Sequence, residues 1–305
     1  MPTDSATADL RRLLPSPAEL ARLQGLQLRA RCIVEGHLTG LHRSPRRGFS
    51  VEFAEHREYT PGDDLRYLDW KVWGKRDRLY LKQFEEETNF ACHLLVDASE
   101  SMNYRSADTA MSKWQYAATL ATSLAWLILR QQDAVGLTTF NTGPADVLKP
   151  SGSAAQLKQI ATLLEATKPV GESKLGDVLG TVAEHLPRRG LVLLIGDLFD
   201  DLDSVRQGLK RLAFRGHDIG VLQVIDPAEV DFPFVDPVQF DGLEGTGSES
   251  IDPNSLRAAY RSEFNRFLNE ARGLCRELSV HHQLVRTDQS PTDVLLKLLT
   301  SARPA

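Results

Sequence analysis

Short apolar segments alternate with longer amphipathic segments from residue 91 onward, and this alternation restricts the fold more than any other feature of the chain. The segment Leu191–Asp197, with the sequence LVLLIGD, is typical of a buried strand. The segment Lys113–Arg130 instead has apolar residues at the spacing of a helix. Strands that alternate with helices in this way form parallel sheets joined by crossover helices. The sequence therefore predicts an α/β fold over residues 91–305, with a doubly wound, mostly parallel six-stranded sheet.

The individual elements follow from the same two patterns. Five of the strands can be assigned directly, at Cys92–Asp97, Ala134–Phe140, Leu191–Asp197, Asp218–Asp226 and Val280–Val285. Helices are predicted at Lys113–Arg130, Leu157–Leu164, Leu175–Leu186, Val205–Leu212, Leu256–Leu278 and Thr292–Leu299.

The first 90 residues have a different pattern and are interpreted as an N-terminal accessory segment. It is predicted to contain one helix at about Pro17–Val34, a basic loop at His42–Gly48, and two strands at Ser50–Tyr59 and Arg78–Glu87. The segment is too short and too polar to bury a large core of its own. We therefore expect it to pack against the α/β domain.

The charge and the cysteines exclude several classes of function. The formal net charge is −5 and the isoelectric point is near 5.9, so the chain lacks the basic field that attracts nucleic acid. The widely separated Cys32, Cys92 and Cys275 predict neither a disulfide framework nor a zinc knuckle. No apolar run reaches the ~20 residues that a membrane helix needs. We therefore expect a cytoplasmic protein that does not insert into a membrane.

Acidic and hydroxyl side chains follow two of the predicted strands. Asp97, Ser99 and Ser101 stand at the end of the first strand, and Asp197 stands at the end of the strand LVLLIGD. In open α/β sheets, ligands bind beyond the carboxyl ends of the strands. Oxygen ligands without nearby His or Cys suit a hard cation such as Mg²⁺. The alternative is that these residues only cap the helices that follow.

The spacing of Asp97, Ser99 and Ser101 resembles the DxSxS motif of the metal-ion-dependent adhesion site in von Willebrand factor A domains. In those domains a second loop supplies a Thr, and Ser173 in the segment GESKLGDVL stands at that position. A third loop supplies an Asp, which corresponds to Asp197. The resemblance thus implies these five residues as ligands of Mg²⁺ or another divalent cation, held weakly until a partner completes the coordination. Because the site is expected on an exposed loop, loss of the Asp97 carboxylate should change stability little.

The pattern R-x-Y-x-P-G-D-D-x-R-x-x-D-W runs here from Arg57 to Trp70 and resembles that of the bacterial domain of unknown function 58 family. The resemblance extends over nearly the whole chain from about residue 30. The segment combines charged and large aromatic side chains, as the anchors of protein interfaces do. A local turn stabilised by Asp and Arg side chains is the alternative. The candidate partner-binding residues are Arg66, Asp69, Trp70 and Trp73.

The family resemblance also implies a function. Proteins of this type are often found with MoxR-type AAA+ ATPases, which implies a non-enzymatic, metal-dependent interaction protein that acts as an adaptor or chaperone-like partner of such an ATPase. The alternative is a Mg²⁺-dependent phosphohydrolase that uses the strand-end aspartates. The sequence contains no GxSxG, P-loop, HExxH or GxGxxG motif, which removes the commonest signals of hydrolases, nucleotide-binding proteins and dehydrogenases.

Overall fold

The chain divides into two units in the computed structural model, one of residues Arg43–Phe90 and one of all remaining residues. The structure describes residues 16–34, 49–58, 80–87, 91–186, 189–234, 238–241, 248–251 and 253–301. The larger unit resumes at Ala91, and the N-terminal helices, which the sequence analysis assigned to the accessory segment, belong to the same unit as the α/β elements.

The described residues 16–34 form two helices, α1 (Pro17–Arg22) and α2 (Leu26–Ile33). The prediction of a single helix is wrong because the chain turns at Gly25, whose φ of +88° lies in the left-handed region that glycine adopts without strain. α1 begins with a capping box, in which the side chains of Ser16 and Glu19 each accept a hydrogen bond from the other residue's backbone N–H. Each helix is therefore bounded by local signals of its own.

The smaller unit contains a hairpin of β1 (Phe49–Glu58) and β2 (Tyr80–Glu87). The strands are antiparallel, with Phe49 opposite Glu87 and Glu58 opposite Tyr80. Both lie within two residues of their predicted ends. Residues 59–79, which connect them, lie outside the described part of the chain.

The larger unit is built from strands and helices that alternate along the chain. Its strands are β3 (Ala91–Asp97), β4 (Ala134–Phe140), β5 (Pro144–Ser151), β6 (Gly190–Gly196), β7 (His217–Ile225), β8 (Val238–Asp241), β9 (Ser248–Ile251) and β10 (His281–Arg286). Its remaining α-helices are α3 (Lys113–Arg130), α4 (Gln156–Ala166), α5 (Leu175–His185), α6 (Leu202–Phe214), α7 (Pro227–Asp231), α8 (Pro253–Glu277) and α9 (Pro291–Ser301). A short 3₁₀ helix, Glu100–Asn103, follows β3.

Among the described residues, the main sheet has six strands in the order β10-β7-β6-β3-β4-β5. The neighbouring strands are parallel except for β4 and β5, which are antiparallel. The predicted doubly wound, mostly parallel six-stranded sheet is therefore confirmed. The strand β5 is not among those assigned from the sequence, because it is an edge strand with largely exposed side chains and lacks a continuous apolar run. β8 and β9 form a separate antiparallel hairpin.

Helices cover both faces of the main sheet. On one face, α5, α6 and α8 form a hydrophobic cluster with alternate strand residues, among them Val192, Leu194 and Val221. On the other face, α3 contacts β3, β4, β6 and β7, and it is flanked by α2, α4 and α9. Because both faces are covered, the central strands are apolar at nearly every position, which is why they were recognisable from the sequence.

Helix α2 is expected to stabilise the larger unit, because it packs against α3 and α4. Its first residue, Leu26, is buried, and the Leu26 N–H donates a hydrogen bond of 2.6 Å to Glu165 Oε1 of α4. We expect Leu26→Ala to lower the free energy of unfolding by about 2–4 kcal/mol, measured by urea denaturation. In the matched control, Leu28 of the same helix is 49% exposed, so Leu28→Ala should cost less than about 1 kcal/mol. Equal losses in the two variants would contradict this packing.

Candidate metal site

Two adjacent strands of the main sheet, β3 and β6, each end in an aspartate at the same edge. Asp97 is the last residue of β3, and Asp197 directly follows β6. The strands are parallel and paired, with Val96 opposite Ile195. The chain leaves β3 for β4 on one side and returns as β6 on the other, so the strand order reverses between them. Such a switch point is where open α/β sheets bind ligands.

Backbone hydrogen bonds hold the loop after β3 in place. The Ala98 N–H donates a bond of 2.7 Å to the carbonyl oxygen of Phe140 at the end of β4. The same loop is joined to the loop before α5 through Glu100 N–H to the Gly171 carbonyl, 2.8 Å, and Val170 N–H to the Ala98 carbonyl, 2.9 Å. These bonds place the DxSxS loop directly beside the loop that precedes α5.

The structure brings together all five side chains that the sequence predicts as metal ligands. The Oγ atoms of Ser99 and Ser101 are 3.1 Å apart, and the Ser101 hydroxyl donates a hydrogen bond of 2.7 Å to Asp197 Oδ2. The Ser173 hydroxyl lies 3.4 Å from Asp97 Oδ2, to which it donates. The Ser99 N–H donates to Asp97 Oδ1 at 2.8 Å. We call this set of five residues the strand-end network.

The strand-end network is buried, which corrects the expectation that it lies on an exposed loop. Asp97, Ser99 and Asp197 are each at most 1% exposed. Strand β6 approaches so closely that a Cβ atom at Gly196 would lie 2.6 Å from Asp97 Cβ, so glycine is required there. Ser173 is half-buried and is the most accessible member of the network.

Burial changes the pKa of Asp97. The loss of solvation raises this pKa, and the negative charge of Asp197 raises it further. Hydrogen bonds from Ser99 and the positive charge of Lys113 oppose the increase only in part, so that the pKa of Asp97 is raised to about 7. A cation beside the two carboxylates would stabilise the ionised form of Asp97 and so lower its pKa.

The positive charge belongs to a residue that the sequence analysis missed. The Lys113 side chain is fully buried, and its Nζ donates hydrogen bonds to Asp197 Oδ2 at 2.9 Å and to Glu229 Oε1 at 2.7 Å. The ammonium group also lies 4.7 Å from the centre of the Phe199 ring. Burial alone would lower the pKa of Lys113, but the charges of Asp197 and Glu229 outweigh it and raise the pKa above its ordinary value. Lys113 is therefore a permanent cation next to the strand-end network.

A sequence signal for Lys113 does exist. The residue occupies the first position of α3, directly after the N-cap residue Ser112. A positive charge is unfavourable at the amino end of a helix, so a lysine there indicates a compensating partner elsewhere. That partner, Glu229, lies in the segment DPAEVDFPF and also accepts a hydrogen bond of 2.7 Å from the Asp226 N–H. Burial raises the pKa of Glu229, and Lys113 opposes the increase.

Asp201 lies four residues after Asp197 and has a different role. Asp201 caps α6 by accepting hydrogen bonds from the backbone N–H groups of Asp203 and Ser204. Outside the described part of the chain lie the predicted partner-binding residues Arg66, Asp69, Trp70 and Trp73.

The chemistry of the network fits Mg²⁺. All five side chains present oxygen atoms, which are the ligands that Mg²⁺ prefers. Within the described ranges, no group of three or more His, Cys, Asp and Glu side chains could hold a metal, so an ion here would depend on two carboxylates and on hydroxyls. The hydroxyls of Ser101 and Ser173 donate to carboxylate oxygens, which leaves Oγ lone pairs available to a cation. Lys113 contacts both Asp197 and Glu229, so its single positive charge offsets one of the three negative charges that Asp97, Asp197 and Glu229 carry when ionised. The remaining two negative charges would match a divalent cation.

The sheet order together with the DxSxS loop at the switch point defines a von Willebrand factor A type of α/β domain. The family model described as "Protein of unknown function DUF58" matches residues 55–272. The chain therefore belongs to this family.

Two sequence relatives come from mycobacteria. An uncharacterized protein of Mycobacterium tuberculosis and one of Mycobacterium bovis are each 29% identical to this chain over 264 residues, which is 84% of this chain and 80% of the relative. Their descriptions assign no function to them.

Solved structures with a similar sheet are more distant. BatB from Bacteroides thetaiotaomicron has 15% sequence identity and a TM-score of 0.44, and the match covers 70% of this chain and 98% of BatB. The SpRpn10 VWA domain has 13% identity and a TM-score of 0.38, covering 68% of this chain and 93% of that domain. Structural similarity this distant does not indicate a function for this chain.

None of the helices in the described ranges has both the length and the hydrophobicity needed to cross a bilayer.

Asp97→Asn tests the cost of burying this carboxylate. The folded pKa of about 7 lies above the ordinary value of 3.8, so the folded state holds the proton more tightly, and stability is lost as the pH rises between these values. Without divalent cations, we expect the variant to be more stable than the parent protein by on the order of 1–3 kcal/mol near pH 8. The difference should disappear near pH 4. Chemical denaturation in EDTA across this range measures it, and a variant that is less stable near pH 8 would contradict it.

Proposed function

We propose that this protein is a non-enzymatic adaptor that binds a protein partner through a divalent cation, which we take to be Mg²⁺. The ion would be held by Asp97, Ser99, Ser101, Ser173 and Asp197. When bound, it would offer an electrophilic position to a carboxylate side chain of the partner. The observation that carries this proposal is the convergence of three hydroxyls and two strand-end carboxylates in linked hydrogen bonds.

The charges around the network favour capture of a ligand over turnover. Two carboxylates neutralise a divalent cation only when both are ionised, and Asp197 already shares its Oδ2 atom with Lys113 and Ser101. An ion at this site would therefore keep a net attraction for an incoming carboxylate. The Ser101 hydroxyl donates to Asp197 Oδ2, an oxygen that is already engaged by the Lys113 ammonium group. This arrangement gives Ser101 little activation as a nucleophile.

The accessible side of the network is the loop before α5. Ser173 is half-buried, whereas Glu172 is exposed and Val170 is 55% exposed. A partner side chain would reach the site from this side, because the other members of the network are buried. We therefore expect the partner surface to include the exposed residues of this loop.

We propose a MoxR-type AAA+ ATPase as the partner, since the family resemblance implies this association. The gene order offers a direct check of that assignment. A MoxR-type ATPase gene adjacent to the gene of this protein would favour the pairing, and its absence would weaken it.

Removal of the Asp97 charge should weaken both metal binding and partner binding. We expect Asp97→Asn to lower Mg²⁺ affinity by at least about tenfold, because the ion loses one of two carboxylate ligands. Affinity for the ATPase should fall by a similar factor, since the two equilibria are linked. Calorimetry of the full-length chain with Mg²⁺, and then with the ATPase in Mg²⁺ or EDTA, measures both effects.

Two further variants sharpen this test. Asp203→Asn removes an exposed carboxylate outside the network and should leave both affinities unchanged. Ser173→Thr keeps the hydroxyl group and should preserve or tighten Mg²⁺ binding. ATPase binding that is insensitive to EDTA and to Asp97→Asn would mean that the partner docks elsewhere.

The alternative of a phosphohydrolase makes a different prediction. A Mg²⁺-dependent phosphatase should hydrolyse a generic phosphoester and should lose that activity in Asp97→Asn. We expect no turnover above the uncatalysed rate with or without Mg²⁺, measured with p-nitrophenyl phosphate. Turnover that depends on both Mg²⁺ and Asp97 would overturn the adaptor proposal.

A further inference from the structure

The buried side chain of Lys113 is surrounded by two carboxylates and an aromatic ring. Its ammonium group donates to Asp197 Oδ2 and Glu229 Oε1, and the Phe199 ring lies against it. Its side chain has no exposed surface, and that of Glu229 is only 13% exposed. Burying a lysine together with two carboxylates is costly unless the geometry is well satisfied. The arrangement therefore calls for an explanation beyond packing.

Helix stability does not supply that explanation. Lys113 is the first residue of α3, where the helix dipole disfavours a positive charge. The capping of α3 is provided independently by Ser112 and Gln115, each of which accepts a hydrogen bond from the other's backbone N–H. Lys113 instead stabilises the two carboxylates that it contacts. Of these, only Asp197 belongs to the strand-end network.

The contact between Lys113 and Asp197 competes with a metal ion. Asp197 Oδ2 accepts hydrogen bonds from both Lys113 and Ser101, and Asp197 Oδ1 accepts one of 3.1 Å from the Phe199 N–H. Both oxygens are thus occupied by protein donors. A divalent cation at the network would also be repelled by an ammonium group that lies one hydrogen bond away from a ligand.

We propose that Lys113 is a positioning residue that limits the affinity of the strand-end network for divalent cations. It holds Asp197 in an arrangement that is complete without metal, and its charge opposes the ion. Glu229 offsets part of that charge and so sets how strongly Lys113 opposes binding. This inference rests on the proposed function and deepens it, because an ion that is weakly held becomes firmly bound only when a partner carboxylate adds a further negative ligand.

Two variants should move the metal affinity in opposite directions. Glu229→Gln removes the charge that offsets Lys113, so Mg²⁺ affinity should fall by about tenfold. The double variant Lys113→Met with Glu229→Gln removes the ammonium group together with the charge of Glu229, and leaves Asp197 with its hydrogen bonds from Ser101 and the Phe199 N–H. Mg²⁺ affinity should then rise above that of the parent by on the order of tenfold, because the ion no longer competes with Lys113 for Asp197. A purely structural role for the pair would weaken binding in both variants.

Calorimetry with Mg²⁺ alone, together with the Mg²⁺-induced rise in melting temperature, measures these changes on the full-length chain. The matched control is Glu263→Gln, which removes an exposed carboxylate paired with Arg266 and should leave Mg²⁺ affinity unchanged. Melting in EDTA shows that each variant is folded. The single variant Glu229→Gln keeps Lys113 paired with Asp197 and so provides a readout even if the double variant fails to fold.

The outcomes separate this inference from the proposed function. Equal Mg²⁺ affinity in the parent and both variants, or a change of affinity in the same direction in both variants, would overturn the role of Lys113. Either result would leave the proposed function intact. Absence of Mg²⁺ binding in the parent and in all variants would overturn the metal site and, with it, this inference. Binding in the double variant but not in the parent would support Lys113 as the group that blocks the ion.

Discussion

The hydrogen-bonded ion pair of Lys113 with Asp197 and Glu229 is the interaction on which the candidate site depends. It joins the amino end of α3, the end of β6 and the helix α7 at one point of the sheet edge. Removal of one charge from such a group leaves another buried without a partner, which costs far more than the loss of an exposed pair. This edge of the sheet can therefore enclose several carboxylates because a lysine is buried with them.

The position of Lys113 also explains why the negative charges of the two aspartates in the network are compensated to different degrees. Asp197 is held by Lys113, by Ser101 and by the Phe199 N–H, so its negative charge is well compensated. Asp97 has hydrogen bonds from Ser99 and Ser173 but no cation in direct contact, and its pKa is raised to about 7. In the proposed metal site, a bound cation would supply the compensation that Asp97 lacks.

Local periodicity was sufficient to predict most of the fold. The central strands are apolar because both faces are covered, and the helices show one apolar face, so both patterns survive in the linear sequence. The pattern did not reveal the short helix α7 or the hairpin of β8 and β9, and it also failed at two features that have no apolar period. Strand β5 is exposed at the sheet edge, and the turn at Gly25 divides a segment whose apolar spacing continues on both sides.

Four residues of the strand-end network were recognisable in the sequence because Asp97, Ser99, Ser101 and Asp197 lie at the ends of apolar strands or shortly after them. Ser173 was assigned only through the resemblance to von Willebrand factor A domains. The burial and the electrostatic balance of the network were decided by the tertiary structure. Lys113 and Glu229 are 116 residues apart, and Lys113 and Asp197 are 84 apart, and each of these contacts exists only once the sheet has formed. Charge compensation in a buried site depends on distances of a few ångströms in space. Such distances cannot be read from the separation of residues along the chain.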